Sequence, residues 1–287
     1  MPAQHGRKLI ITGANSGLGR ATSRSLAAAG ARVVMAVRDP SRGAAAAASM
    51  PGTVEVRQLD LADLASVRRF ADQWVSPVDV LINNAGVMNV PESRTKDGFE
   101  TQFGTNHLGH FALTNLLLPQ VTGRVVTISS GLHRGGKIML DDLNWERRPY
   151  RGWPAYQQSK LANLLFTLEL QRRLTTDGSP VRALAAHPGY AATNLQGRSG
   201  NPWSDRIARF ANVIFAQSEE MGALPTLFAA TEDLPGGSYA GPRGPGEMRG
   251  LPTLVGRSSA AVDLALAREL WTASERLTGV SYPPTLS

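Results

Sequence analysis

The chain has 287 residues, of which 42% are hydrophobic and 18% charged, a composition typical of a folded protein with one substantial core. It contains no cysteine, which excludes disulfides, thiolate metal sites and a cysteine nucleophile. The net charge of +7 comes from scattered basic residues with no basic run interleaved with aromatics, so nucleic acid is not an expected partner. No stretch approaches the roughly 20 apolar residues of a membrane helix, and we expect a single cytoplasmic domain over residues 1–287.

The first predicted strand, 8–11, leads into a glycine-rich turn that is followed by a predicted helix over 20–29. Its apolar run is typical of a strand that is buried on both faces of a parallel sheet. Glycines let the backbone approach a pyrophosphate, and the free N–H groups of a helix N-terminus attract anions, so this order favours a dinucleotide site. The candidate ligands in the turn are Gly13, Asn15, Ser16, Gly17, Leu18 and Gly19.

A second predicted strand, 32–37, completes a βαβ unit and is followed by Arg38 and Asp39. A carboxylate at the end of this strand would suit the free ribose hydroxyl of NAD, whereas an arginine suits the 2′-phosphate of NADP. Arg38 therefore favours NADP and makes NAD less expected, although the neighbouring Asp39 weakens the argument.

The next predicted elements are a helix over 44–48, a strand over 54–59, a helix over 63–75 and a strand over 78–82. Asp60 and Leu61 follow the third strand, and Asp60 can either cap the next helix or accept a bond from an adenine amino group. The sequence does not separate these two roles. Asn84, Ala85 and Gly86 follow the fourth strand, at the edge where open parallel sheets bind ligands.

A long helix is predicted over 98–118. It holds His107 and His110, but no acidic or sulfur ligand at a suitable spacing, so no metal site is expected. A fifth strand over 123–130 ends in hydroxyls and lacks the Gly-x-Ser-x-Gly pattern of a serine hydrolase. Residues 131–152 show no periodicity, and we predict an irregular segment that lies over the site.

Tyr156 and Lys160 are expected one turn apart on a helix, because Pro154 suits a first helical position and apolar residues recur after it. An adjacent cation favours the ionised form of a tyrosine, so the pair can supply a general acid or base nearer to working pH. This chemistry suits proton exchange with an alcohol or a carbonyl. Alone, the pattern more often marks a half-buried ring beside a solvated lysine, and the interpretation depends on the other motifs.

The last predicted features are a strand over 181–186, the candidate cofactor ligands Pro188, Gly189 and Thr193, a substrate lid over 194–230, and a C-terminal region over 241–287 that consists of a surface connection (241–256) and a helix (258–277). In the lid, Ile207, Phe210 and Ile214 recur at helical spacing, which indicates either core packing or an apolar face toward a substrate. The lid also contains Arg198, Arg206 and Arg209, which leave an acidic substrate tail open.

In order and spacing, six motifs over residues 8–279 resemble those of the short-chain dehydrogenase/reductases. The motifs are Thr12-Gly13-x-x-x-Gly17-x-Gly19, Asn83-Asn84-Ala85-Gly86, Asn106, Ser130, Tyr156-x-x-x-Lys160 and Pro188-Gly189-x-x-x-Thr193. The residues around Arg38, Asn106 and Lys160 look more narrowly like the retinol-dehydrogenase and WW-domain-oxidoreductase branch, although no WW module precedes the motifs in this sequence.

The resemblance implies an α/β fold of Rossmann type, with a doubly wound sheet of about seven parallel strands and helices on both faces. It implies a catalytic set, and in it Tyr156 would exchange a proton with the substrate oxygen while Ser130 hydrogen-bonds that oxygen. Lys160 would hold the nicotinamide ribose and lower the pKa of Tyr156. Asn106 would position a water that links Lys160 to solvent.

The resemblance implies hydride transfer between a nicotinamide cofactor and an alcohol or carbonyl, in a homodimer or homotetramer. Arg38 and the apolar residues of the lid add the expectations of NADP(H) and of a lipophilic substrate. Some NADP-specific relatives carry a basic residue where this chain has Ser16, so the NADP prediction depends on Arg38 alone. The alternative is a catalytically weak NADP-binding scaffold or redox-sensing module, which would not need the four catalytic positions to be filled.

Overall fold

A computed structural model describes residues 1–189 and 218–283. Within them, the strands form one sheet in the order β3-β2-β1-β4-β5-β6-β7-β8. The strands are β1 (Lys8–Thr12), β2 (Arg32–Val37), β3 (Thr53–Gln58), β4 (Val78–Asn83), β5 (Val121–Ile128), β6 (Arg182–Ala186), β7 (Tyr239–Pro242) and β8 (Pro252–Leu254). The first seven run parallel, which confirms the predicted doubly wound sheet, and β8 adds an antiparallel edge.

The helices are α1 (Gly17–Ala28), α2 (Pro40–Ala47), α3 (Leu64–Asp72), α4 (Thr101–Phe103), α5 (Gly109–Leu117), α6 (Gly152–Thr176), α7 (Glu219–Thr231) and α8 (Leu264–Thr278). The helix predicted over 98–118 is divided, because a π-helical segment, Gly104–Leu108, joins α4 to α5. The helix predicted over 44–48 starts earlier, at Pro40, because the Asp39 carboxylate accepts hydrogen bonds from two backbone N–H groups of its first turn. The last helix begins at Leu264, capped by Asp263.

The prediction of a surface connection over 241–256 is wrong at both ends of the segment. Gly241 and Pro242 are buried in β7, and residues 252–254 form β8. Glycine is needed at position 241 because a Cβ there would collide with the ring of His187. The glycine- and proline-rich composition of this segment therefore gave no indication of β7, which pairs with β6.

Both faces of the sheet are covered, which explains the apolar runs in its strands. Successive side chains point to opposite faces, so Ile10 packs with Phe111 and Trp271 on one face while Leu9 packs with Leu227 on the other. The order of the strands reverses at β1, which pairs with both β2 and β4. Sheets of this kind bind ligands in the crevice at the carboxyl ends of the strands next to such a reversal.

No helix in residues 1–189 and 218–283 is long and apolar enough to cross a lipid bilayer.

Candidate active site

The four residues that the sequence predicts as catalytic lie together at the carboxyl edge of the sheet. Ser130 follows β5 and hydrogen-bonds with Tyr156 of α6. Lys160 lies one turn further along α6, and its Nζ is 5.6 Å from the centre of the Tyr156 ring. A Cβ on Gly86 would lie 3.1 Å from Asn106 Oδ1 and 3.6 Å from Lys160 Nζ. The fold therefore brings residues from four separate segments into one site.

The phenol of Tyr156 is buried, and its acidity reflects that burial. Only 6% of the residue is exposed, and burial raises the pKa of Tyr156 to about 12, an effect that the hydrogen bond with Ser130 opposes only in part. The lowering of this pKa by Lys160, which the resemblance implies, stays a prediction. Tyr156 keeps its proton at neutral pH, which suits it to donate a proton to a developing oxyanion.

Lys160 is buried as well, with 4% of the residue exposed. Burial disfavours the ammonium and lowers the pKa of Lys160 to about 8. Its Nζ donates a hydrogen bond to Ile128 O at 3.1 Å. An ammonium has three N–H donors, so donors remain for the hydroxyl groups of a ligand.

Asn106 joins neighbouring segments through its side chain, and its main-chain carbonyl oxygen lies 3.0 Å from His110 Nδ1. Its Nδ2 donates to Val87 O and to Ser159 Oγ, both at 2.9 Å, and its Oδ1 accepts from Val87 N at 2.8 Å. It lies in the π-helical segment, where the N–H of Gly109 bonds to the carbonyl of Gly104, five residues back. Such π-helical turns occur frequently at functional sites.

Thr12 joins the glycine-rich turn to the Asn-Asn-Ala-Gly motif. Its Oγ1 accepts the N–H groups of Asn84 and Ala85, both at 2.9 Å, and Asn84 Nδ2 donates to Thr12 O at 2.8 Å. Gly13 has a φ of +66°, and a Cβ on it would lie 2.9 Å from Ala85 Cα, so the conformation and the space both require glycine. These contacts fix the carboxyl ends of β1 and β4 against each other.

The N-terminus of α1 fits the pyrophosphate of a dinucleotide. Ser16 is the N-cap residue, but its side chain makes no capping hydrogen bond, and the first turn contains no acidic residue. The helix dipole and the free N–H groups therefore remain available to an anion. The predicted ligands Asn15 and Ser16 are half-buried, and Gly17, Leu18 and Gly19 are buried at the start of the helix.

Arg38 is exposed directly after β2, beside the glycine-rich turn. The two segments are linked by the N–H of Gly13, which donates to Ala36 O at 2.8 Å. Asp39 is engaged elsewhere, because its carboxylate accepts from Ser41 N at 2.9 Å and caps α2. Asp39, the carboxylate that weakened the NADP prediction, therefore serves as the N-cap of α2.

Asp60 does not cap α3. That role belongs to Asp63, whose carboxylate accepts two backbone N–H groups of the first turn of α3. Asp60 Oδ1 accepts from Ala62 N at 3.0 Å, and its neighbour Leu61 is buried. Of the two roles that the sequence left open, the capping role is wrong and the adenine contact stays a prediction.

Pro188 and Gly189 lie half-buried after β6, at the same edge of the sheet. The N–H of Gly189 donates to His187 Nδ1 at 3.2 Å. Thr193 and most of the predicted lid over 194–230, with its apolar residues and arginines, lie outside the described residues. Of the lid, only residues 218–230 are described, and they contain all of α7 except its last residue, Thr231.

Two residues that shape the site have no predicted role in the sequence. Ser159 Oγ donates to Tyr156 O at 2.8 Å, a bond that its spacing of three residues on a helix makes accessible. Gln102 Nε2 donates to Gly152 O at 2.8 Å, and its Oε1 accepts from Asn89 N at 2.7 Å. No local pattern signals Gln102, since Gly152 is 50 residues away in sequence.

No group of three or more His, Asp or Glu residues within 1–189 and 218–283 is arranged to hold a metal ion.

A sequence model of the short chain dehydrogenase family matches residues 7–202, and the chain belongs to that family. It is therefore an oxidoreductase that acts on alcohol or carbonyl groups. It is 42% identical to retinol dehydrogenase 13 of Homo sapiens, over 97% of this chain and 86% of that protein. It is 41% identical to polyprenol dehydrogenase of Mus musculus, again over 97% of this chain and 86% of that protein. The expected retinol-dehydrogenase-like relationship is confirmed.

Two solved structures bear on the fold and the cofactor. An uncharacterized protein from Mycobacterium paratuberculosis is 57% identical and superimposes with a TM-score of 0.88, covering 99% of this chain and 97% of that one. A 2-deoxy-d-gluconate 3-dehydrogenase from Agrobacterium tumefaciens with bound NADP is 27% identical, with a TM-score of 0.61 over 83% of this chain and 94% of that one.

Proposed function

We propose that the protein interconverts a lipophilic alcohol and the corresponding aldehyde or ketone with NADP(H) as its cofactor. The observation that carries this proposal is the pairing of the buried Tyr156 with the buried Lys160 one helical turn away, with Nζ 5.6 Å from the centre of the ring. When bound, the nicotinamide supplies or accepts the hydride. The chain supplies the proton, the charge stabilisation and the orientation of the reactants.

Tyr156 is the proposed acid and base. In the reductive direction it donates its phenolic proton to the carbonyl oxygen, and in the oxidative direction it takes that proton from the alcohol. The hydroxyl of Ser130, which already hydrogen-bonds with Tyr156, donates to the substrate oxygen where negative charge develops.

Lys160 and Asn106 support Tyr156. The Nζ donors of Lys160 that Ile128 does not occupy bind the hydroxyls of the nicotinamide ribose, and the ammonium stabilises Tyr156 whenever the phenol loses its proton. The main-chain carbonyl of Asn106 holds a water through which Lys160 exchanges protons with solvent. Asn106 is suited to this role because its side chain is fully engaged and its backbone is fixed.

Arg38 supports NADP over NAD. A guanidinium can bind two oxygens of a 2′-phosphate with two parallel hydrogen bonds, and Arg38 is exposed beside the turn that would receive the pyrophosphate. The competing carboxylate of Asp39 is held by α2. The 27% identical relative with bound NADP is in keeping with this choice.

The apolar surface around Tyr156 supports a lipophilic substrate. The ring of Trp153 is 47% exposed and lies 6.4 Å from that of Tyr156 between centroids. Leu132, two residues after Ser130, is 41% exposed. Exposed large apolar side chains beside a polar centre are typical of sites that bind apolar ligands. The similarity to retinol and polyprenol dehydrogenases points in the same direction.

The purified protein should be mixed with NADPH and a panel of carbonyls that contains linear aldehydes, all-trans-retinal and hydroxylated sugars, and the oxidation of NADPH followed by absorbance. We expect turnover with the aldehydes and retinal and little with the sugars. NADPH binding without turnover of any carbonyl would instead identify a binding module. Preference for the sugars would overturn the proposed substrate class.

A further inference from the structure

The imidazole of His110 links two parts of the site through both of its nitrogens. The residue is 1% exposed, its Nδ1 lies 3.0 Å from Asn106 O, and its Nε2 lies 2.8 Å from Thr12 Oγ1. A carbonyl oxygen can only accept, so the proton resides on Nδ1 and is donated to Asn106. In the neutral ring, Nε2 is then an acceptor and receives the hydroxyl proton of Thr12.

The hydrogen bonds of Thr12 agree with this direction. Its hydroxyl has one proton, and the alternative acceptor, Ile82 O, is at 3.5 Å, much further than His110 Nε2. The lone pairs of Thr12 Oγ1 accept the N–H groups of Asn84 and Ala85. A directed chain of hydrogen bonds therefore runs from the Asn-Asn-Ala-Gly motif through Thr12 and His110 to the carbonyl of Asn106.

His110 is suited to stay neutral in this chain. Burial, reinforced by repulsion from the charge of Lys160, lowers the pKa of His110 to about 4. The ring thus keeps one tautomer, with one donor and one acceptor, over the whole neutral range of pH. A protonated ring would donate from both nitrogens and would leave the Thr12 hydroxyl without its close acceptor.

We propose that His110 is a positioning residue that holds the main-chain carbonyl of Asn106 at a fixed position relative to the cofactor-binding motifs at the ends of β1 and β4. The inference rests on the proposed function, in which that carbonyl holds the water serving Lys160. Thr12 belongs to the sheet and Ala85 follows β4, whereas Asn106 belongs to a helical segment that covers the sheet. His110 bridges the two layers at the crevice with hydrogen bonds, which fix orientation as well as distance.

His107 offers a matched control on the same helical segment. It is also almost fully buried, with 2% exposed, but its ring faces the core and stacks on Phe103 at 5.0 Å. Its Nε2 lies 2.9 Å from Ser274 Oγ, whose own proton is donated to Leu270 O at 2.8 Å. His107 therefore joins α8 to the core and contacts neither Thr12 nor the Asn106 carbonyl in any of these bonds.

Two substitutions test the two hydrogen bonds of His110 separately. His110→Asn keeps a donor near the position of Nδ1, and so the bond to Asn106, but loses the acceptor for Thr12. His110→Gln keeps a polar atom near the position of Nε2, and so the bond to Thr12, but loses the donor to Asn106. His110→Phe removes both bonds and preserves the ring, and His107→Gln is the control.

The kcat with the preferred carbonyl and the Kd for NADPH should be measured for each variant at a temperature at which it is folded. We expect roughly tenfold lower kcat for His110→Gln with little change in Kd, because the hydrogen bond to Asn106 O is lost. For His110→Asn we expect roughly tenfold weaker NADPH binding with a smaller change in kcat. His110→Phe should show both defects, and His107→Gln should lower only the Tm.

The proposal is overturned if His110→Phe keeps kcat and Kd within about twofold of the wild type, roughly 0.4 kcal/mol. It is also overturned if His110→Phe and His107→Gln differ only in Tm, since His110 would then be merely structural. If the wild type reduces no carbonyl, the proposed function fails on its own. In that case the Kd of His110→Asn for NADPH still tests whether the hydrogen bond between His110 and Thr12 supports cofactor binding.

Discussion

The side-chain amide of Asn106 donates to the hydroxyl of Ser159 at 2.9 Å, and through it the π-helical segment is tied to the helix that carries Tyr156 and Lys160. The hydroxyl of Ser159 in turn donates its own proton to Tyr156 O at 2.8 Å. Both side chains are completely buried. The hydroxyl of Ser159 therefore links the π-helical segment directly to α6.

Ser159→Ala should lower both stability and turnover. The buried amide of Asn106 would lose one acceptor, a cost of about 1–3 kcal/mol in the free energy of unfolding, and kcat should fall roughly tenfold as Asn106 shifts. Urea unfolding and steady-state kinetics measure the two effects. Thr167→Val is the matched control, because Thr167 makes a buried hydroxyl bond to Asn163 O further along the same helix, at 2.9 Å. The control should lose stability and keep kcat; an equal loss of kcat in both variants would contradict a specific role for Ser159.

Tyr156→Phe should reduce kcat/KM by about 10²–10⁴, since it removes the proposed proton donor and keeps the ring. The Kd for NADPH, measured by fluorescence titration, should change by less than about threefold, or 0.7 kcal/mol. Tyr282→Phe is the control, because Tyr282 packs against Trp271 in the core. Activity of Tyr156→Phe within about tenfold of the wild type would require another acid.

Arg38→Asp should reverse the cofactor preference, because a carboxylate repels the 2′-phosphate and accepts the free ribose hydroxyls. We expect the unmodified protein to bind NADPH at least about tenfold more tightly than NADH, and the variant to prefer NADH. Isothermal titration with both cofactors measures the ratio. Arg32→Asp is the control, since Arg32 is an exposed arginine at the opposite end of the same strand. Equal affinity of the unmodified protein for the two cofactors would contradict the prediction.

Lys160→Met should stabilise the ligand-free protein near neutral pH. Burial lowers the pKa of Lys160 from 10.5 to about 8. At about 1.4 kcal/mol per pKa unit, the buried ammonium therefore lowers the free energy of unfolding by up to about 3 kcal/mol. The hydrogen bond that the substitution removes contributes only about 1 kcal/mol in the opposite direction. Between those two pKa values the unfolded chain binds more protons than the folded one, so the stability contributed by Lys160 rises with pH.

The advantage of Lys160→Met over the wild type should therefore shrink by about 2 kcal/mol between about pH 7 and about pH 9.5. Denaturant unfolding of both proteins at the two pH values measures this difference, in which titrations common to both proteins cancel. A constant difference would mean that Lys160 is not destabilised by burial. The variant should also lose turnover, as expected for a functional site that is maintained at a cost in stability.

The kcat/KM for linear aldehydes should rise with chain length, by up to about 0.8 kcal/mol of transition-state binding for each methylene that is buried. A series from short to long chains, measured with NADPH at fixed concentration, tests this. The rise should end when the chain outgrows the apolar surface at Trp153 and Leu132. A flat series would contradict a lipophilic site.

The sequence by itself determined the parallel sheet and most of the candidate site. Strands that are buried on both faces have continuous apolar runs, so residues 8–11 and 32–37 were predicted within one residue of β1 and β2. The glycine-rich turn and the pair of Tyr156 and Lys160 were predicted because each is local, whereas Ser130 and Asn106 were assigned only through the resemblance to the family. Chemistry that depends on residues close in sequence can be predicted from the sequence.

The tertiary structure alone decided the features that depend on distant residues. The pKa of Tyr156 moves upward because the whole fold buries the phenol. β7 forms despite Gly241 and Pro242 because its first two residues pair with β6 while Gly241 and Pro242 pair with β8. The bonds of His110 to Thr12 and of Asn106 to Ser159 join residues 98 and 53 positions apart. Burial and long-range hydrogen bonds have no local signature in a sequence, since they exist only once the layers of the fold have packed together.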